Sequence, residues 1–281
     1  KDSFDRLYPI SMGRYGPTVA VPRILDTYRR LGIKQSFFIP GWCIETYPKV
    51  IEAILAGGHE IGHHGYLHED PIDAPNQIVW FEKALAAYEK YCGGTPAGYR
   101  APVYNINQEV IDLLIKHEFR YDSSMMADDI PYRLQTDKGE LWEMPVHWGT
   151  DDWPPFAHYA EIGYMMPVKA PSAGLQAFWE EFEVAYEAGG FFMVIAHPFL
   201  TGRLARWKRV EEWLEETVNN KDVWFARLDQ IAEYLDKIVS DGTYLPRLEK
   251  LPYYSASILI TLFIIDFTMP LIILFRPTNS A

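Results

Sequence analysis

Short apolar runs of strand length alternate with segments of helical periodicity along most of this 281-residue chain, and that alternation narrows the fold more than any other feature. The apolar spacing of Val19–Leu31 predicts a helix stopped by Gly32. Gln35–Pro40 (QSFFIP) then reads as a buried strand ending in Pro-Gly. Pro48–Ala56 is expected to be helical up to Gly57-Gly58, with His59–Gly62 as the next strand. A helix over Ala74–Tyr91 halts at Gly93-Gly94, Pro96–Arg100 leads to another strand end, and Gln108–His117 is helical again. Leu141–Val146 reads as a strand, followed by a Pro-rich loop from Gly149 to Pro171. Helix Gly174–Ala188, strand Phe191–Ala196, helix Leu204–Val218, strand Val223–Ala226 and helix Asp229–Ile238 complete the series. No repeat or linker interrupts it, so one α/β domain with a parallel sheet is expected.

In such folds ligands gather at the C-terminal ends of the strands. The unusual polar residues fall at those ends: His64 and His68, Arg100-Ala101-Pro102, Asp151-Asp152-Trp153 and His197-Pro198. Singly, each has a plain structural explanation. Arg100 suits an ion pair, Asp152 a cap and His197 a satisfied core histidine. Four such sites at successive strand exits argue together for a functional centre.

The segment Gly58–Asp70 (GHEIGHHGYLHED) is the most crowded of them, with His59, His63, His64 and His68. His64 and His68 stand four apart, an interval that places two imidazoles on one side of a helical turn and within reach of one cation. His63 has no partner at that interval, because position 67 is Leu, and His59 sits in an apolar run. Two histidines alone describe a polar loop as well as a metal site.

The net charge of −12, spread along the chain, argues against nucleic acid as the partner. Nine Trp and eighteen Tyr suit a groove for a flat or sugar-like ligand, and equally a core. Cys43 and Cys92 are too few for a disulfide framework and agree with a reducing, cytoplasmic setting. The chain opens on Lys1 with no apolar signal core. Ser255–Phe275 is long and apolar enough to span a bilayer, although Asp266 and Pro270 near its middle oppose that. The expected division is therefore a domain over residues 1–245 and a hydrophobic tail over 246–281, either a membrane anchor or a segment lying on the domain.

In order along the chain, GHEIGHHGYLHED, GYRAP at 98–102, YDSS at 121–124, DDW at 151–153 and AHP at 196–198 resemble the polysaccharide deacetylase (NodB-homology) family. The likeness runs from about Ile10 to Tyr244 and is nearest to the branch holding peptidoglycan-deacetylase-like proteins and metal-independent allantoinases. It implies a distorted (β/α) barrel of about seven parallel strands. It also implies that His64 and His68 are ligands of a divalent metal, usually zinc, and that Arg100 orients the catalytic base. Asp152 would pair with His197, the general acid, while Trp153, Trp148 and Tyr104 would contact substrate. Trp148, Trp153 and Phe156 are expected to crowd the mouth and favour a small substrate. The implied reaction is N-deacetylation of a saccharide by metal-assisted attack of water.

One departure stands out. The family opens with a strand ending in two aspartates, the catalytic base and a third metal ligand. Lys1–Pro17 holds no apolar run of strand length, and Asp2 and Asp5 are its acids. The first strand is thus expected to be missing, with Lys1 in place of Met favouring a truncated record. Weak metal binding and little turnover would follow, since a catalytic zinc takes three protein ligands. Two other functions stay open: ring opening of allantoin or a cyclic imide, and a non-catalytic binding or membrane-tethered protein. Self-association is expected of a barrel with large surface aromatics.

Overall fold

The computed structural model describes residues 6–70, 76–160 and 163–254. Asp2, Asp5 and the apolar stretch 255–275 lie outside them. The chain enters as helix α1 (Leu7–Tyr15), passes through a wider turn over Gly16–Ala20, and continues as α2 (Val21–Leu31). Pro17 and Pro22 stand in the first turns of their segments, where a missing N–H costs no hydrogen bond. Gly32, at φ 70°, ends α2 in the left-handed conformation that a side chain disfavours. Among the described residues no strand precedes position 36.

Seven strands follow: β1 (Ser36–Ile39), β2 (Glu60–His63), β3 (Gly98–Tyr99), β4 (Tyr121–Asp122), β5 (Tyr132–Thr136), β6 (Gly139–Glu143) and β7 (Leu248–Lys250). They form one mostly parallel sheet in the order β1-β2-β3-β4-β6-β5-β7. Helices α3 (Gly41–Thr46) and α4 (Pro48–Ala56) connect β1 to β2; α5 (Gln77–Cys92) and α6 (Gln108–Lys116) supply the next two crossovers. The α/β class expected from the alternation is the one observed.

Three details differ from the sequence reading. Tyr132–Thr136 turns back at Gly139 to pair antiparallel with β6, and this hairpin carries β7 on its far side. The sheet therefore continues past residue 245. Phe191–Val194 and Val223–Ala226 take no ladder partner among the described residues; only Ile195 bridges, to Asp151. Apolar runs mark β-propensity, but a strand exists only where a neighbour supplies hydrogen bonds.

Helices α5 and α6 lay Phe81, Leu85, Ile111 and Leu114 against Tyr99, Leu134 and Leu141. Each fully buried aliphatic side chain contributes about 1.5–3 kcal/mol. Helices α7 (Trp153–Phe156), α8 (Pro171–Glu187), α9 (Pro198–Thr201) and α10 (Leu204–Thr217) follow, and α11 (Leu228–Ser240) covers Tyr121, Trp142 and Met144 with Leu228, Ala232 and Leu235. This scaffold fixes the strand exits on which the polar residues stand. No helix among the described residues is long and apolar enough to cross a membrane.

Candidate active site

His63 closes β2 fully buried, stacked on Phe81 and Tyr88, with Nδ1 accepting the Gly65 N–H and Nε2 against the Phe81 carbonyl. Burial pushes its pKa down to about 3, so it is a neutral core histidine. Beyond it the chain turns rather than entering a helix. Gly65 and His68 both have positive φ, at 68° and 61°. The Glu69 carboxylate gathers the N–H groups of Tyr66 and Leu67, closing the turn. His68 is thereby folded back onto His64, their rings 4.8 Å apart and edge to face. The four-residue interval does bring the two imidazoles together, but through a Glu69-braced turn instead of helical periodicity.

His64 Nδ1 lies 2.7 Å from the Arg100 carbonyl. That bond occupies Nδ1 and leaves Nε2 as the ring nitrogen free of it, as where a second group orients a ligating histidine. Burial first, and then the neighbouring His68, hold His64 well below the usual imidazole range; burial and His197 lower His68 too. Both rings are neutral at physiological pH.

Arg100 leaves β3 with its guanidinium buried over the Phe38 ring, at 4.3 Å. Nε donates to the Ser123 carbonyl at 2.9 Å and Nη2 to the Ser123 hydroxyl at 2.6 Å. It forms no carboxylate ion pair among the described residues.

The remaining pieces come from the bridge between Asp151 and Ile195. Asp152 donates its N–H to the Ile195 carbonyl at 3.0 Å, which sets its side chain beside His197. Asp152 Oδ1 lies 2.6 Å from His197 Nδ1, and Oδ2 accepts the His197 N–H at 2.9 Å and the Thr201 hydroxyl. Asp151 takes the Trp153 N–H at 2.6 Å and the Tyr104 hydroxyl. Burial works against the charged form of His197, but the charge and hydrogen bond of Asp152, aided by Asp151, outweigh it, and its pKa is raised. Burial raises that of Asp151.

Asp151, Asp152 and His197 are the group among the described residues with three donors close enough for one cation. All four of their carboxylate oxygens already accept protein hydrogen bonds, which suits an acid–base cluster better than a metal cage. The His64–His68 pair brings two imidazoles together but finds no third protein ligand among the described residues, one short of a catalytic zinc site.

Trp153 meets the His197 ring edge-on at 5.5 Å. Trp148, 47% exposed, meets Tyr104 at 4.9 Å, and both line an open cavity of about 600 Å³ with Val103, Ser124 and Met125. Phe156 does not stand at the mouth. It is buried among Leu175, Phe178 and Leu200, since its helical turn (α7, Trp153–Phe156) points it inward. Thr201 and Ser123 join the site without having been singled out as site residues, and Asp151, noted in the DDW segment, joins it without having been given a role. Thr201 carried a local signal, lying four residues past His197 on the short helix α9 (Pro198–Thr201); Ser123 carried none beyond its place in YDSS.

A sequence profile of the polysaccharide deacetylase family matches residues 4–121. The peptidoglycan deacetylase of Helicobacter pylori is 26% identical over 254 residues, covering 80% of this chain and 86% of that one. A solved structure from Mycobacterium smegmatis, assigned as a polysaccharide deacetylase, superposes with a TM-score of 0.80 at 34% identity, over 86% of this chain and 84% of that one. An allantoinase structure shares the fold, with a TM-score of 0.72 at 22% identity over 85% of this chain and 78% of that one. The ordered strand-exit residues, the parallel sheet that carries them and these likenesses agree: this chain belongs to the polysaccharide deacetylase family.

Proposed function

We propose that this protein is an N-deacetylase of N-acetylated sugars or their polymers, with Asp152 and His197 as the proton-donating pair. The observation that carries the reading is the double grip of Asp152 on His197. One carboxylate oxygen takes the ring Nδ1–H and the other the backbone N–H, so Nε2 is left to face substrate as an imidazolium. An amide nitrogen is a poor leaving group until protonated, and His197 Nε2–H is the donor for it. Tyr104 and Asp151 brace the neighbouring wall, and Trp148 and Trp153 offer flat faces to a sugar ring. Arg100 places positive charge beside the reacting carbonyl.

Deacetylases of this family generally use a divalent metal. His64 and His68 are the residues here that would contribute to holding one, and among the described residues they fall one ligand short of a catalytic zinc site. Weak metal retention and slow turnover follow from that shortfall.

Ring opening of allantoin is the second reading, supported by the likeness of fold alone. Acetate release from N-acetylglucosamine oligomers and allantoate release from allantoin, measured side by side with zinc present, separate the two. The expected result is slow acetate release, abolished in His197→Ala, and no allantoate. Faster hydrolysis of allantoin than of the oligomers would reverse the assignment.

A further inference from the structure

Asp122, at the end of β4, and Glu143, at the end of β6, are direct partners in the parallel register of the two strands. Neither has any contact with solvent. Asp122 Oδ1 accepts the Ser124 hydroxyl at 2.7 Å, and Glu143 Oε1 accepts the Ser124 and Met125 N–H groups, both at 3.0 Å. The other two oxygens, Asp122 Oδ2 and Glu143 Oε2, find no donor among the described residues. Two ionised carboxylates buried side by side would repel, and each would leave an acceptor unsatisfied. A single proton between those two oxygens removes both costs, because one carboxyl becomes the donor to the other.

The pair sits behind the candidate site. Ser124, which it holds from both sides, accepts the Ala101 N–H at 2.8 Å, next to Arg100. Ser123, between Asp122 and Ser124, seats the Arg100 guanidinium. Ser124 and Met125 are also wall residues of the 600 Å³ cavity. We propose that Asp122 and Glu143 share one proton and, as a singly charged pair, position Arg100 and the Ser124–Met125 wall for substrate. The positioning role rests on the deacetylase reading; the shared proton does not.

Burial is the main cause that raises the pKa of both carboxyls, and for Glu143 the Asp122 charge adds to it. The charged and titratable groups facing the pair are Arg100, Tyr99, Tyr132 and Tyr253; Tyr132 is the β5 register partner of Glu143. Burial raises all three phenols, so they stay neutral, and Arg100 is a full positive charge that acts on Asp122. The native pair retains a proton that unfolded carboxyls release near pH 4. Its contribution to stability is therefore complete at low pH and declines as pH rises through the folded pKa.

Glu143→Gln and Glu143→Ala test the proposal. The amide keeps the acceptor for Ser124 and Met125 and gives Asp122 Oδ2 a donor, whereas alanine removes both. At neutral pH the wild type is expected to show the infrared band of a buried protonated carboxyl, absent from Glu143→Gln. Amide exchange at Ala101, Ser124 and Met125 should be unchanged in Glu143→Gln and about tenfold faster in Glu143→Ala. Affinity for an N-acetylglucosamine oligomer, read by tryptophan fluorescence, should follow the same order, with rescue by glutamine. No carboxyl band in the wild type, or a band abolished by a tightly bound divalent cation, overturns the shared proton. Unchanged exchange in Glu143→Ala overturns the positioning role. Failure of the wild type to bind the oligomer counts against the deacetylase reading, while the band and the exchange rates still decide the pair.

Discussion

His197 and Asp152 are joined twice, ring to one carboxylate oxygen at 2.6 Å and backbone N–H to the other at 2.9 Å. A single contact would leave the imidazole free to rotate about its side-chain bonds. The second one locks the aspartate to the strand exit that carries the histidine, so charge and orientation are set together. Asp152 itself is completely buried, and the Thr201 hydroxyl satisfies it further.

Asp152→Asn removes the charge and keeps the shape. Burial then acts on His197 without the Asp152 charge to oppose it, so the imidazole pKa should fall from its raised position. Histidine NMR titration of wild type and variant reads this without any need for turnover. In the wild type the pairing contributes stability that is fully present below the unfolded pKa and is lost as pH rises through the raised folded pKa. The variant should therefore lose most stability, relative to wild type, on the acid side of neutrality. An unshifted His197 titration would remove Asp152 from its assigned role.

The paired histidines make a second prediction. His64 and His68 have lowered pKa values from burial, so both are unprotonated and available to a cation at pH 7. With two protein ligands among the described residues in place of three, zinc should be held weakly and largely lost on desalting. His68→Ala should lower retention further, and acidification should weaken it only well below pH 6.5. Elemental analysis after gel filtration checks this. One tightly held zinc per chain that survives His68→Ala would show that other ligands hold the metal.

A third prediction concerns the scaffold beneath Arg100. A Cβ at Gly98 would lie 1.9 Å from Tyr121 Cζ, and that ring is fully buried with its hydroxyl on Glu60 at 2.7 Å. The ring has nowhere to go, and β3 is only two residues long. Gly98→Ala should cost about 3 kcal/mol, at the upper end of ordinary overpacking. Urea denaturation measures it, and an unchanged midpoint would mean that the strand shifts freely.

Much of the site was legible because strand exits are marked by local chemistry. Arg100 and His197 directly follow short apolar runs, with Pro102 and Pro198 just beyond them, and Asp152 follows the turn at Gly149. His64 and His68 were legible as a pair, but their spacing points to a helix where a Glu69-braced turn exists. Phe156 reads as a mouth residue from its neighbours and is buried, because only the direction of a helical turn decides which side of the chain faces the core.

By itself the sequence determined the α/β class, the alternation of helices with strands through β4 and the residues offered at each strand exit, since periodicity and turn chemistry are local properties. Only the tertiary structure decided what those residues meet. It left Phe191–Val194 without a ladder partner among the described residues and brought Thr201 onto Asp152. It also set Asp122 opposite Glu143 across two strands, where among the described residues no other donor reaches their last oxygens. Protonation states follow from that placement, because burial and the nearest charge set them, and neither is written in the order of the residues.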